Sequence, residues 1–306
     1  MSADSLSGSV ALVTGASGFL GSNLCRRLVD AGAEVHATSR AAHTSDHECL
    51  RWWQSDLASD GSARALLREI RPDVIFHLAG QVSAAPGVAL VLPAFHSLLG
   101  STLNLLAAAD ELGSGRVVLT GSLTEPRSSG DEVVPSSPYA AAKWASTAYA
   151  RMFHALYGTP AVIVRPFMAY GPGQSPEKLV PHVILSLLRG VSPKLASGRW
   201  SADWIYVDDV IDGFVLAARS AGIDGKTIDL GSGALTSTRE LVDKLVARID
   251  PRAEPQFGAL PDRPAEEVRI ADVAFAKAAL GWEPRTSLDR GLEQTIAWYR
   301  DQRPNP

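Results

Sequence analysis

Along the first two-thirds of the chain, short apolar runs alternate with longer stretches whose apolar positions recur at helical spacing. The runs Val10 to Thr14, Glu34 to Ser39, Val74 to Leu78, Val117 to Thr120 and Ala161 to Val164 are predicted strands. The stretches Phe19 to Ala31, Ala63 to Arg71, Leu98 to Leu112 and Pro138 to Tyr157 are predicted helices. Strands with so little polar interruption bury both faces, so the pattern predicts an α/β fold with a doubly wound parallel sheet. Beyond Pro166 the alternation loosens, with glycine and proline clustered in AYGPGQSP and further helices over Leu241 to Ile249, Asp272 to Leu280 and Leu288 to Tyr299. The expected division is a first domain over 1–166, completed by part of 203–232, and a smaller interleaved C-terminal substrate lobe that takes most of 167–306. There is no internal repeat and no low-complexity tract.

The first strand runs directly into a glycine-rich turn, TGASGFLG. Gly15 permits a tight turn, Gly18 lets a pyrophosphate approach the backbone, and Gly21 allows close packing of helix on strand. The free N–H groups at the helix start favour phosphate, which makes Gly15, Ser17, Gly18, Phe19, Leu20 and Gly21 candidate cofactor contacts. An ordinary strand-to-helix turn is the alternative. The second strand ends in VHATSR, with Ser39 and Arg40 where NAD sites usually carry a carboxylate. A guanidinium forks well onto a 2′-phosphate, so NADP(H) is favoured and NAD(H) remains possible. Arg40 as a solvated surface residue is the alternative. Asp56 and Leu57, in QSDLAS, follow the expected third strand and are placed at the adenine, or Asp56 is a cap or turn residue.

In SSPYAAAKW, Tyr139 precedes Lys143 by one helical turn, so both side chains share a helix face. A phenol with a reference pKa near ~10 is a poor proton carrier at neutral pH. A neighbouring ammonium is expected to favour the phenolate and bring proton transfer within reach. With the glycine turn, this pair predicts movement of a hydride and a proton.

Composition narrows the classes further. The chain has 306 residues, 46% hydrophobic and 20% charged, in the ordinary globular range. A net charge of −4 offers no basic field for nucleic acid. Cys25 and Cys49 are the only cysteines and have no partners at metal-ligand spacing; nor do His154 and His182, so no metal is expected. His77, at a buried strand end, is expected to be a core histidine. The N-terminal residues show no signal-peptide pattern and no apolar run reaches a membrane span of ~18 residues. A cytoplasmic soluble enzyme that binds neither membrane nor nucleic acid is expected.

Taken together, TGASGFLG, VIFHLAG, YAAAK, RPFMAYGPGQ, DWIYVDDV and LGWEP resemble the extended short-chain dehydrogenase/reductase superfamily, over nearly the whole chain. The resemblance implies a Rossmann domain and a nucleotide-diphosphate-sugar substrate. It adds Leu78, Ala79 and Gly80 to the cofactor contacts. It makes Tyr139 the acid/base, Lys143 its orienting partner on the nicotinamide ribose, and Ser122 the hydroxyl that holds the reacting oxygen. Thr124 is a second candidate for that hydroxyl. Ser122 and Tyr139 are only 17 positions apart, shorter than the family's usual gap.

Several positions depart from the family pattern. Pro126-Arg127 replaces the usual tyrosine-glycine, and Ser97 replaces an asparagine. The Asp-Glu pair of dehydratases is not present: Leu123, Thr124 and Glu125 follow the serine. Glu125 is either a substrate contact or a solvated loop charge. Ala202 stands where an arginine commonly holds the diphosphate; Arg199 and Arg263 are the candidate replacements. Trp200 is either a packing residue or a stacking surface for a base, and Asp208 and Asp209 look like a helix N-cap pair.

The layout looks most like reductases of nucleotide-linked 4-keto-6-deoxy sugars, so NADPH-dependent reduction of such a ketone is the first expectation. The alternatives are an NAD-dependent nucleotide-sugar epimerase, a dehydratase, and a non-catalytic NAD(P)-sensing protein. Family members often dimerise through two long helices, here around Leu98 to Leu112 and Pro138 to Tyr157, and a homodimer is expected.

Overall fold

The computed structural model describes residues 6–83, 85–127, 133–262 and 267–302. The chain divides into two compact units, Met1–Pro166 with Ile211–Ile228, and Phe167–Val210 with Asp229–Pro306.

The strands β1 (Val10–Thr14), β2 (Glu34–Ser39), β3 (Leu50–Gln54), β4 (Val74–His77), β5 (Arg116–Thr120) and β6 (Ala161–Pro166) form a seven-stranded sheet together with Thr227–Leu230. From that last strand the order runs β6, β5, β4, β1, β2, β3. β1 pairs in parallel with both β2 and β4, although β2 and β3 intervene in sequence. The chain therefore reverses its winding beside β1, and the carboxyl ends of β1 and β4 lie next to each other at the switch point where such sheets bind ligands. This is the doubly wound sheet predicted from the sequence. β4 and β6 are buried at every position, as their apolar runs require.

The core joins Leu12, Ile75, Val117, Leu119 and Ile163 of the sheet to Leu66 and Leu67 of α2 (Ser62–Ile70). Leu105 and Leu106 of α4 (Ser101–Glu111) complete it. Ahead of α2, the sheet is covered by α1 (Phe19–Asp30), which follows β1 after the glycine turn. α4 is not the simple helix over Leu98 to Leu112 that periodicity predicts. Helical structure begins at Val88, passes through the short α3 (Val91–Ala94) and a π-helical turn over Phe95–Gly100, and only then becomes α-helical. By length and mean hydropathy alone 88–111 could cross a membrane. Its second half, however, buries Ser101, Thr102, Leu105, Leu106, Ala108 and Ala109 in the first unit.

α5 (Pro138–Tyr157) has clear ends. Ser137 caps it by accepting from Ala140 N–H, Pro138 fits the first turn, and Gly158 stops it at φ 76°.

The second unit carries a three-stranded sheet, in the order Leu235–Ser237, Ser201–Tyr206, Met168–Tyr170. Its loops are tied by buried carboxylates. Asp203, 1% exposed, accepts from the N–H groups of Ser232, Gly233 and Ala271. Asp209 is not a helix cap: it accepts from Arg285 and Thr286 N–H, while its own carbonyl accepts from the Trp282 indole at 2.9 Å. This latch explains LGWEP as a packing motif. Trp200 packs edge-on to Trp204, centroids 6.2 Å apart.

Candidate active site

The glycine turn is built to leave space. Gly15 has φ +66°, and a Cβ there would stand 2.8 Å from the backbone of Leu78 and Ala79. A Cβ on Gly21 would lie 2.2 Å from the Gly15 carbonyl oxygen, so α1 can approach β1 this closely only without a side chain. Gly18 is the N-cap of α1 and offers no side-chain cap. The first-turn N–H groups of α1 are thus turned toward the end of β1, as a bound pyrophosphate requires. The cradle fits a dinucleotide.

A hydrogen-bond chain fixes the floor of this cradle. Thr102 Oγ1 donates to the Leu98 carbonyl at 2.6 Å, so it accepts from His77 Nε2–H at 3.2 Å. His77 Nδ1 then accepts from Thr14 Oγ1 at 2.8 Å, which in turn accepts from Ala79 N–H at 3.1 Å. Burial, with the Lys143 charge second, pushes His77 down to about 3, so the ring stays neutral. The chain ties the end of β1, the turn Leu78–Gly80 and the π-helical turn into one unit. Gly80, at φ +146°, packs so tightly that a Cβ would overlap Leu98.

At the end of β2, Ser17 Oγ donates to Ser39 Oγ at 3.3 Å and Ala41 N–H donates to the same oxygen. Gln54 holds the Arg40 carbonyl at 3.0 Å. The Arg40 side chain is exposed and makes no ion pair among the described residues. Asp56 is a turn residue, accepting from Ala58 N–H at 3.0 Å; Gly61, not Asp56, is the N-cap of α2. Leu57 is buried, with its carbonyl held by Asn104.

The structure brings Ser122, Thr124, Tyr139 and Lys143 together. Ser122 follows β5 and is 7% exposed. Its hydroxyl lies 2.9 Å from Thr124 Oγ1 and accepts from Thr124 N–H at 3.2 Å, and it stands near enough to Tyr139 to draw that phenol downward. The two serine/threonine candidates are therefore linked in series. Lys143, 6% exposed, donates from Nζ to the Thr120 carbonyl at 2.7 Å. Burial lowers it to about 8, against an upward pull from the Glu125 carboxylate. The expectation that the Lys143 ammonium favours the phenolate is corrected here. Burial raises Tyr139 above its ordinary range, the Ser122 hydroxyl draws it part of the way back, and the Glu125 charge raises it further.

Glu125 is not the solvated loop charge weighed from the sequence. It is 1% exposed, and its carboxylate accepts from Ser122 N–H at 2.5 Å and from Arg165 Nη2 at 3.3 Å. Sequence reasoning missed Arg165 altogether. Arg199 belongs to the second unit, where its exposed side chain pairs with Asp262 at 3.3 Å. Arg263 lies outside the described residues. Among the described residues no group of His, Cys, Asp and Glu could hold a metal ion.

The profile of the NAD dependent epimerase/dehydratase family matches residues 11–231. The chain belongs to that family. It is 34% identical to a UDP-glucose 4-epimerase of Mycolicibacterium smegmatis, with 95% of this chain and 98% of the relative covered. It is 27% identical to a dTDP-glucose 4,6-dehydratase of Xanthomonas campestris pv. campestris, over 94% of this chain and 92% of that one. A UDP-glucose 4-epimerase of Thermus thermophilus, solved in complex with NAD, superposes with a TM-score of 0.84. It is 26% identical, and the match covers 95% of this chain and 99% of that chain.

Proposed function

We propose that the protein is a nucleotide-sugar 4-epimerase that uses a bound pyridine dinucleotide. The observation that carries this reading is the meeting of Ser122, Thr124, Tyr139 and Lys143 after β5, in a chain whose 34%-identical relative is a UDP-glucose 4-epimerase. The epimerase reading, the alternative drawn from the sequence, is better supported than reduction of a 4-keto-6-deoxy sugar, for which none of the relatives named above speaks. Dehydration is disfavoured by the stretch Leu123, Thr124 and Glu125, in which one of the two acids that dehydratases carry is missing. The complete Ser122, Tyr139 and Lys143 set favours an enzyme over a sensing protein.

When bound, the dinucleotide supplies an acceptor and donor of hydride at its nicotinamide. Tyr139 takes the proton of a sugar hydroxyl and later returns it. Ser122, itself hydrogen-bonded to Thr124, donates to the oxygen as charge develops there, an interaction strongest in the transition state. Lys143 keeps a positive charge beside the phenol. The cycle has no net redox change, so a 2′-phosphate on the dinucleotide does not affect its balance. Arg40, exposed and without an ion pair among the described residues, favours NADP(H), with NAD(H) also accepted. Arg199 and Arg263 are assigned to the substrate diphosphate.

The reading includes a cytoplasmic homodimer. Val88, Leu92 and Phe95 before α4, and Trp144 on α5, are exposed large apolar side chains on the two helical segments named above, and a second copy would cover them.

The test is to incubate purified protein with UDP-glucose and no added cofactor, and to identify the dinucleotide released on denaturation by mass. Formation of the C4 epimer with catalytic turnover is expected. No epimer from UDP- or dTDP-hexoses, together with stoichiometric NADPH consumption by a keto sugar, would instead establish the reductase.

A further inference from the structure

Just beyond β5 the chain closes around one buried carboxylate. An ionised carboxylate as buried as Glu125 needs partners. Oε1 accepts from Ser122 N–H at 2.5 Å, and Glu125 N–H donates back to the Ser122 carbonyl at 3.1 Å. Both backbone polar groups of Ser122 are thus tied to a single residue. Oε2 takes Arg165, on neighbouring β6, which is 9% exposed. Gly121 leaves the room: a Cβ there would stand 2.8 Å from Glu125 Oε1 and 3.0 Å from Ile163 Cγ2.

A buried ion pair is a poor way to stabilise a fold, because apolar residues of similar volume serve as well or better. Its position directly beneath the serine gives it another use. We infer that Glu125 and Arg165 are positioning residues, a buried pair that locks the Ser122 backbone so that its hydroxyl faces Tyr139. The inference rests on the Ser122–Tyr139 site proposed above. The carboxylate also lies close enough to act on both proton-handling groups, since its charge raises Tyr139 and Lys143 alike.

The test compares the wild type with Glu125→Gln and with the double variant Glu125→Leu/Arg165→Met. The double variant leaves no orphaned charge, so it remains foldable if the single one is not. Loss of backbone positioning is expected to lower kcat about 10- to 100-fold, the scale of a small misplacement near the chemistry. KM should change by less than about twofold, because substrate binding is not removed. In Glu125→Gln the alkaline fall of kcat should move to lower pH, since Lys143 loses the charge that raises it. A second readout needs no substrate. An ultraviolet titration of each protein against its Tyr139→Phe counterpart isolates one phenol. Its shift on loss of Glu125 should differ between the wild-type and Ser122→Ala backgrounds, because only in the first does a released serine withdraw its downward pull. A folded double variant with wild-type kcat, or the same phenol shift in both backgrounds, overturns the inference. If the wild type turns over no nucleotide sugar but the phenol shift depends on Ser122 as expected, the epimerase reading fails and the positioning role stands.

Discussion

The Lys143 ammonium lies on the Thr120 carbonyl oxygen, Nζ to O 2.7 Å, at the end of the strand that leads into Ser122. That carbonyl and the Glu125 charge support the cation, yet burial still brings it down to about 8 from its ordinary 10.5. A reaction that needs the ammonium charged should therefore lose kcat as pH rises through about 8. Stability should move the other way. The unfolded chain holds this proton up to 10.5, the folded chain releases it near 8, and the cost of burying the cation disappears between those values. Lys143→Arg keeps a cation at all accessible pH. Its kcat is expected to be lower but free of the alkaline fall, and a retained fall near 8 would take Lys143 out of the profile.

Tyr139 is the proton carrier in the proposed cycle, with the Ser122 hydroxyl near enough to draw its phenol downward. Tyr139→Phe removes the hydroxyl and keeps the ring. A loss of about 10²- to 10⁴-fold in kcat is expected, in line with general acid–base catalysis. Steady-state kinetics of the pure variant check it, and near-wild-type turnover would remove Tyr139 from its role.

His77 should mark the acid limit of stability. Its folded value near 3 lies below the ordinary 6.5, so the unfolded chain binds a proton that the folded chain refuses. Stability attributable to the neutral ring is present above 6.5 and is lost as pH falls from 6.5 toward 3. The slope approaches roughly 1.4 kcal/mol per pH unit in that window. Denaturant unfolding at a series of pH values should show this slope in the wild type and a shallower one in His77→Gln. Parallel slopes would mean that other groups govern acid unfolding.

What the sequence makes legible here follows from range. β1 and β4 are unbroken apolar runs buried on both faces, so period and composition identify them locally. β3 escapes a firm assignment because Leu50–Gln54 is an edge strand with partly exposed residues. The glycine turn and the Tyr139–Lys143 pair are compact motifs whose chemistry is carried by neighbours in sequence. Glu125 is different. Its partner Arg165 is 40 positions away on another strand, and an acid in a polar loop gives no local sign of burial. Asp209 is misread for the same reason: its acceptor role is to Arg285 and Thr286, far along the chain. The π-helical turn over Phe95–Gly100 leaves a helical apolar pattern unchanged and is seen only in the backbone.

The end of β2 is where we propose that the two dinucleotides are told apart. An acidic residue there would accept from the adenosine ribose and repel a 2′-phosphate; Ser39 and Arg40 do neither. Ser39 is already engaged by Ser17 Oγ–H and Ala41 N–H, and the Arg40 backbone carbonyl is held by Gln54. Among the described residues the exposed guanidinium has no ion-pair partner, which suits it to fork onto a phosphate. Arg40→Ala should weaken NADP(H) by roughly 1.5–3 kcal/mol, the scale of a hydrogen bond to a charged group. NAD(H) should be little changed, because it offers no phosphate at that position. Calorimetric titration of apoprotein with each dinucleotide checks both halves. Equal losses for the two would assign Arg40 a general structural effect, and no loss for either would return it to the solvated surface.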